Sequence, residues 1–232
     1  MTDVTTPEAA DIVTAATQLA YDLHREQQRK GTDPAVYRVP YLAHLLGVAA
    51  LVLESPAATA EHVAAALLHD AVEDQPDGLG ITRELWGVGA DAVEQHLAEA
   101  LRMSMGEAAT SVAHLIMCAT EDRSQELRAD ATDDERRVDW QHRKDAYLER
   151  LSRESLSDAL ISVADQLYNV RSIVNDLTAH GAVVWTRFNA PATAKLSQYR
   201  AINEVLQQRH GDDTLVRQFG GALAQLELLA GE

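Results

Sequence analysis

An all-α fold is what this sequence predicts, on three observations. Apolar residues recur at helical spacing through most of the chain, as in Ile12, Ala16, Leu19 and Leu23, and few β-branched runs suit strands. Prolines number only six in 232 residues, and they fall at segment edges such as Thr6-Pro7-Glu8 and Ser55-Pro56. Hydrophobic residues make up 46% of the chain but aromatics only 5%, so the core must be filled by Ala, Leu and Val. No repeat, low-complexity tract or Pro/Gly-rich linker divides it, and one domain over residues 1–232 is the simplest count. Its core is expected over about 10–180, with C-terminal helices over about 182–230.

Each expected helix has its own signals. Thr6-Pro7-Glu8 gives the first a capping hydroxyl, a proline in the first turn and an acid at the positive dipole end; it should run to about Gln28. Arg29-Lys30 then enters a turn at Gly31. Pro40 opens the second helix, whose apolar face is Leu45, Val48, Ala49 and Val52. Thr59 caps a third that should run unbroken to Gln75-Pro76. Ile81 to Trp86 is a short helix or turn, and Asp91–Met103 and Glu107–Cys118 are two more. Glu121 to Asp139 is polar without period and is expected to be structureless. Trp140–Leu151 is helical, and a helix beginning at Ser157-Asp158 is apolar nearly all round in its first half, hence buried. Ala192–Arg209 and Leu215–Leu229 close the chain.

The formal net charge is −16. This excludes wrapping duplex nucleic acid or lying on an anionic membrane, both of which need a basic face. Cys118 is the only cysteine, so no intrachain disulfide forms, which suits a reducing compartment. With no basic-then-apolar N-terminal segment and no long uncharged apolar run, a cytoplasmic protein is expected. A homo-oligomer is compatible with all of this.

One stretch concentrates chemistry: Leu67-Leu68-His69-Asp70-Ala71-Val72-Glu73-Asp74. On a helix, steps of four return to nearly the same face, so His69 would lie over Glu73 and Asp70 over Asp74. Three acids and an imidazole beside an apolar face are costly unless a cation neutralises them. Imidazole with carboxylate suits a borderline metal such as manganese, iron or zinc. His44 and Asp165 are two further polar insertions in apolar helical context. A single ion held by His44, His69, Asp70 and Asp165 would satisfy all four, where separate explanations would otherwise be needed.

These segments together resemble the HD-domain phosphohydrolases, and among them the alarmone hydrolase domain of the RelA/SpoT family. The match rests on Arg29-Lys30, Pro40-Tyr41-Leu42-Ala43-His44, Ala66 to Asp74, His142-Arg143-Lys144, and Val163-Ala164-Asp165-Gln166-Leu167-Tyr168-Asn169-Val170-Arg171, in the family's order. The resemblance implies an HD-domain helical bundle and a Mn²⁺ site formed by His44, His69, Asp70 and Asp165, with Zn, Fe, Co or Mg as substitutes. It implies Glu73 and Asp74 as the pair that positions and activates water, and it puts Arg29, Lys30 and Asn169 near a nucleotide. Arg143, Lys144 and Arg171 are further candidates to hold phosphates. The implied reaction frees pyrophosphate from the ribose 3′ position of (p)ppGpp. Two departures bear on the substrate: Gln166 and Tyr168 stand where the family carries Arg and His, and extra residues separate Arg29-Lys30 from Pro40. The rival readings are an HD-type phosphohydrolase acting on ppApp, a nucleoside monophosphate or the 2′-phosphate of NADPH, and a non-catalytic, metal-stabilised nucleotide-binding regulator.

Overall fold

The computed structural model describes residues 7–29, 39–121, 132–188 and 191–231. It is helical, as expected: α1 (Pro7–His24), α2 (Leu42–Val52), α3 (Ala60–Leu68), α4 (Ala71–Asp74), α5 (Arg83–Val88), α6 (Ala90–Met105), α7 (Ala108–Ala119), α8 (Asp133–Leu151), α9 (Leu156–His180), α10 (Ala192–His210) and α11 (Thr214–Ala230), with 3₁₀ turns at Pro76–Leu79 and Gly181–Arg187. Among the described residues there is no strand, only an isolated antiparallel bridge between Gln28 and Pro40. No helix is long and apolar enough to cross a membrane.

The centre of the packing is α9. Its first half, Ala159 to Ala164, is buried on every face, and it lies against α2, α7 and α11. The scarcity of aromatics is met by small side chains: Ala64, Ala65 and Ala66 of α3 are fully buried, which lets backbones approach closely. Closest of all is Gly47 on α2, where a Cβ would fall 2.1 Å from the Tyr168 ring of α9. Leu215, Val216, Phe219, Leu223 and Leu226 of α11 belong to the same buried cluster as α2, α3 and α9. Asp213 fixes α11: its carboxylate accepts from the Leu215 and Val216 amides at 2.8 and 3.4 Å and from Ser55 Oγ at 2.9 Å.

Several boundaries differ from the sequence expectation, each for a local reason. The first helix stops at His24 rather than near Gln28, because the chain turns there (Gln27 N to His24 O, 2.9 Å) and pairs with Val39–Tyr41 instead. The polar stretch 121–139 is not structureless throughout: α8 begins at Asp133, started by a capping box in which Thr132 Oγ1 accepts from the Glu135 amide and Glu135 Oε2 accepts from the Thr132 amide. The segment 122–131 lies outside the described residues. The helix that carries His69 and Asp70 is broken, not continuous. It ends at Leu68, and Asp70 sits at φ −90°, ψ −3°, between the α and β regions, before α4 resumes. That break turns the Asp70 side chain back toward His69 rather than leaving it along the helix wall.

Candidate metal centre

Two helices and one helix break bring four ligand-type side chains together. α2 supplies His44, the break between α3 and α4 supplies His69 and Asp70, and α9 supplies Asp165. His44 Nε2 lies 3.4 Å from Asp70 Oδ2 and 3.2 Å from Asp165 Oδ1. His69 Nε2 lies 3.1 Å from Asp70 Oδ2 and 3.8 Å from Asp165 Oδ1. Donor atoms of His44, His69 and Asp165 all fall within 4.8 Å of one another. Both imidazoles are buried, at 1% and 4% exposure, while the two carboxylates keep an edge toward solvent.

The donor set fits a divalent cation. His69 Nδ1 donates to the Ala66 carbonyl at 2.7 Å, which leaves the lone pair on Nε2. That Nε2 is buried and has no hydrogen-bond partner, although two carboxylates face it. Lone pairs pointed at carboxylate oxygens in a dry site repel unless a positive charge lies between them. Protons alone can supply part of it. Burial disfavours the His69 imidazolium, but the charges of Asp70 and Asp165, 3.1 and 3.8 Å from Nε2, outweigh burial and raise its pKa well above 6.5. Burial likewise works against ionised Asp70 and Asp165. His69 and His44 outweigh it, holding Asp70 well below the usual carboxylate range and bringing Asp165 down to about 2.

The ligands are in turn held. Tyr41 Oη donates to Asp70 Oδ2 at 2.6 Å, and burial and that neighbouring charge push its pKa far up, so it stays a donor. Asn169 Nδ2 donates to Asp165 Oδ1 at 2.8 Å, and Arg29 donates to Asn169 Oδ1 at 2.9 Å. The Arg29 guanidinium lies over the rings of Tyr41 and Tyr168, 5.9 and 5.7 Å from their centroids. Tyr168 packs edge-on to His44, and it can do so only because α2 carries Gly47 opposite it.

The acidic doublet divides. Glu73 lines a cavity of about 140 Å³ together with His69, Asp70, Glu121, Tyr147, Ser162 and Asp165, and its Oε1 accepts from the Glu121 amide at 2.8 Å. Asp74 is exposed and does not line that cavity; Gln27 Nε2 donates to it at 2.7 Å. Lys144 and Arg143 reach the same cavity through Glu121, Lys144 by a direct bond and Arg143 Nε at 4.0 Å. Arg171 goes elsewhere: it is exposed and donates to Gln218 of α11. Lys30 lies outside the described residues. A wider cavity of about 440 Å³ on α6 and α7 is lined by Asp91, Glu94 and Glu99 together with Arg102, a mostly acidic wall.

The sequence reading gives no site role to Gln27, Glu121, Tyr147 and Ser162, and it names Tyr41 only as part of the Pro40–His44 segment. Tyr41 had a signal, its place three residues before His44 on the same helix side. Glu121 and Ser162 had none, since their roles arise only when α7 and α9 meet α4.

No family model matches the chain. It is 29% identical over 171 residues to the guanosine-3′,5′-bis(diphosphate) 3′-pyrophosphohydrolase MESH1 of Drosophila melanogaster, covering 73% of this chain and 72% of that protein. Its structure is similar to one described as a metazoan ortholog of SpoT that hydrolyzes ppGpp and plays a role in starvation responses, with a TM-score of 0.60, 23% identity, and 92% and 94% of the two chains covered. It is also similar to a crystal structure of a Listeria monocytogenes protein, with a TM-score of 0.56, 22% identity, and 82% and 99% covered. In sequence and in fold, then, this chain is similar to the HD-type alarmone hydrolases.

Proposed function

We propose that the chain is a cytoplasmic, metal-dependent (p)ppGpp 3′-pyrophosphohydrolase that takes Mn²⁺ between His44, His69, Asp70 and Asp165. The observation that carries this reading is that the buried Nε2 atoms of His44 and His69 both face the same two carboxylate oxygens, Asp70 Oδ2 and Asp165 Oδ1, at 3.1–3.8 Å. The sequence similarity to an alarmone pyrophosphohydrolase supports the substrate.

A divalent ion bound there would polarise the phosphoryl oxygen under attack and make a water more acidic. The chain's own groups do the rest. Glu73, facing the cavity and anchored by the Glu121 amide, orients the attacking water. Asp74, exposed and held by Gln27, takes its proton and exchanges it with solvent. Water attacks phosphorus, the bond to the ribose 3′ oxygen breaks, and that oxygen leaves with a proton. The diphosphate end would enter the cavity of about 140 Å³ beside Glu73. The nucleoside would lie outside, with Arg29 on one side and Arg143 and Lys144 on the other as charge-assisted donors to phosphate. Arg171 has no part in this reading.

The test is a substrate panel. Manganese-loaded protein is incubated with ppGpp, pppGpp, ppApp and NADPH, and the released phosphate species are followed. Pyrophosphate from the guanosine substrates supports the proposal. Orthophosphate from NADPH alone, or pyrophosphate from ppApp alone, would replace the substrate; tight nucleotide binding with no turnover on any would make the protein a regulator.

A further inference from the structure

A second group of metal-ligating side chains lies apart from the centre described above. His114 and Cys118 stand one turn apart on the same face of α7, and Asp158 meets them from the first turn of α9. His114 Nε2 is 3.5 Å from Cys118 Sγ and 3.5 Å from Asp158 Oδ1, and the three donor atoms all fall within 4.8 Å of one another. Around a tetrahedral ion with bonds of about 2.3 Å to sulfur and about 2.0–2.2 Å to nitrogen and oxygen, sulfur and nitrogen stand about 3.5 Å apart and nitrogen and oxygen about 3.4 Å. The two spacings from His114 Nε2 match those of ligands that share one ion.

Two surrounding groups point the same way. Glu94 of α6 faces the other ring nitrogen, His114 Nδ1, at 3.3 Å. A carboxylate there keeps the proton on Nδ1 and turns the Nε2 lone pair toward Cys118 and Asp158, the arrangement typical of metal-bound imidazole. Glu154, in the link between α8 and α9, has a side chain only 9% exposed. Its Oε1 pairs with Arg150 at 3.1 Å, while its buried Oε2 has no hydrogen-bond partner. Its carboxylate adds to the negative charge acting on Cys118.

We propose that His114, Cys118 and Asp158 form a second cation site, selective for a zinc-type divalent metal, with Glu94 orienting His114. Thiolate with imidazole favours such an ion over Mg²⁺ or Mn²⁺. On binding, the Cys118 S–H bond breaks and an S–metal bond forms, one water leaves the ion and the proton passes to buffer. His114 is half exposed, so the remaining coordination position faces solvent. The site ties α7 to α6 and α9 just before Glu121, whose amide holds Glu73. This proposal does not rest on the hydrolase reading.

Cobalt is the probe. Cys118 is the chain's only thiol, and the His44–His69 centre contains no sulfur, so a thiolate-to-cobalt charge-transfer band in the near ultraviolet reports this site alone. The intact protein titrated with Co²⁺ at mildly alkaline pH should develop that band to saturation, with the His44–His69 centre free to take a further equivalent that adds nothing to it. Cys118→Ser should abolish it, and Glu94→Gln should weaken binding about 10–100-fold. His69→Ala should leave it unchanged; should that variant not fold, the wild-type titration decides alone. Zinc should also protect Cys118 from a thiol reagent in the wild type. No charge-transfer band and no protection would overturn the proposal and leave a surface His114–Asp158 ion pair beside an ordinary thiol.

Discussion

The centre at His44 and His69 and the cluster at His114 are built from similar groups, imidazole and carboxylate drawn from different helices, yet they differ sharply in exposure. His44 and His69 are 1% and 4% exposed, whereas His114 is 50% exposed. In the open cluster water can solvate any charge left unpaired, so the fold does not depend on how it is filled. In the buried centre the imidazoles are cut off from solvent and the carboxylates keep only an edge toward it, so every proton or cation removed leaves an acid facing an acid. The same chemistry is therefore part of the fold in one place and an attachment to it in the other.

That contrast breaks most easily at the histidines. His69→Ala removes a ligand and strands Asp70 and Asp165, and it should cost about 3–5 kcal/mol together with the bound metal. His114→Ala should cost under about 1 kcal/mol in metal-free protein. Denaturant melts with and without chelator measure both; equal losses would show that exposure does not separate the two groups.

Glu73→Gln sharpens the distinction between holding an ion and using it. It should lower hydrolysis about 10²–10⁴-fold with metal content unchanged, and Asp74→Asn should lower it less, because Asp74 is exposed and water can take over proton exchange. Steady-state rates beside elemental analysis check this, and a lower metal content in Glu73→Gln would make it a ligand instead.

Gly47→Ala tests the packing behind the centre. The added methyl meets the Tyr168 ring, and overpacking should cost about 1–3 kcal/mol and displace His44 with Tyr168. Pairing it with Tyr168→Ala, which empties that space, should recover most of the lost metal affinity.

The smallest effect is that of pH on chelated protein. Asp70 and Asp165 have depressed folded-state pKa values, so their contribution is present above about 3.8 and fades as pH falls through the folded value, about 2 for Asp165. The His69 value is raised, so its contribution is complete below 6.5 and fades as pH rises through the higher folded value. Metal-free protein should be most stable between those limits, and metal should remove the alkaline decline, since it needs the neutral imidazole. Superimposable profiles of melting temperature against pH, with and without metal, would count against the centre.

Helical class and most helix positions could be read from the sequence because the apolar period, prolines and capping residues act locally. Where local and non-local forces compete, the reading went astray. The break at Asp70 carries no proline or glycine; there Asp70 meets Tyr41 and His44 of a distant segment as well as its neighbour His69. The start of α8 was hidden in a polar stretch, where Thr132 and Glu135 cap a helix that has no apolar stripe at its beginning. The grouping of His44, His69, Asp70 and Asp165 was legible because each is a polar residue out of place in an apolar helix. Asp74 outside the cavity and Arg171 turned toward Gln218 were not, since adjacency in sequence says nothing about which wall of a cavity a side chain faces.

Asp213 has a consequence for how the chain could be shortened. It links the end of α2, through Ser55, to the start of α11, and α11 covers the helix that carries Asp165. A fragment stopped at His180 would keep every ligand of the buried centre yet bare the greasy back of α9 and leave Ser55 reaching for nothing. Its trouble would be clumping with its neighbours rather than any missing piece of chemistry.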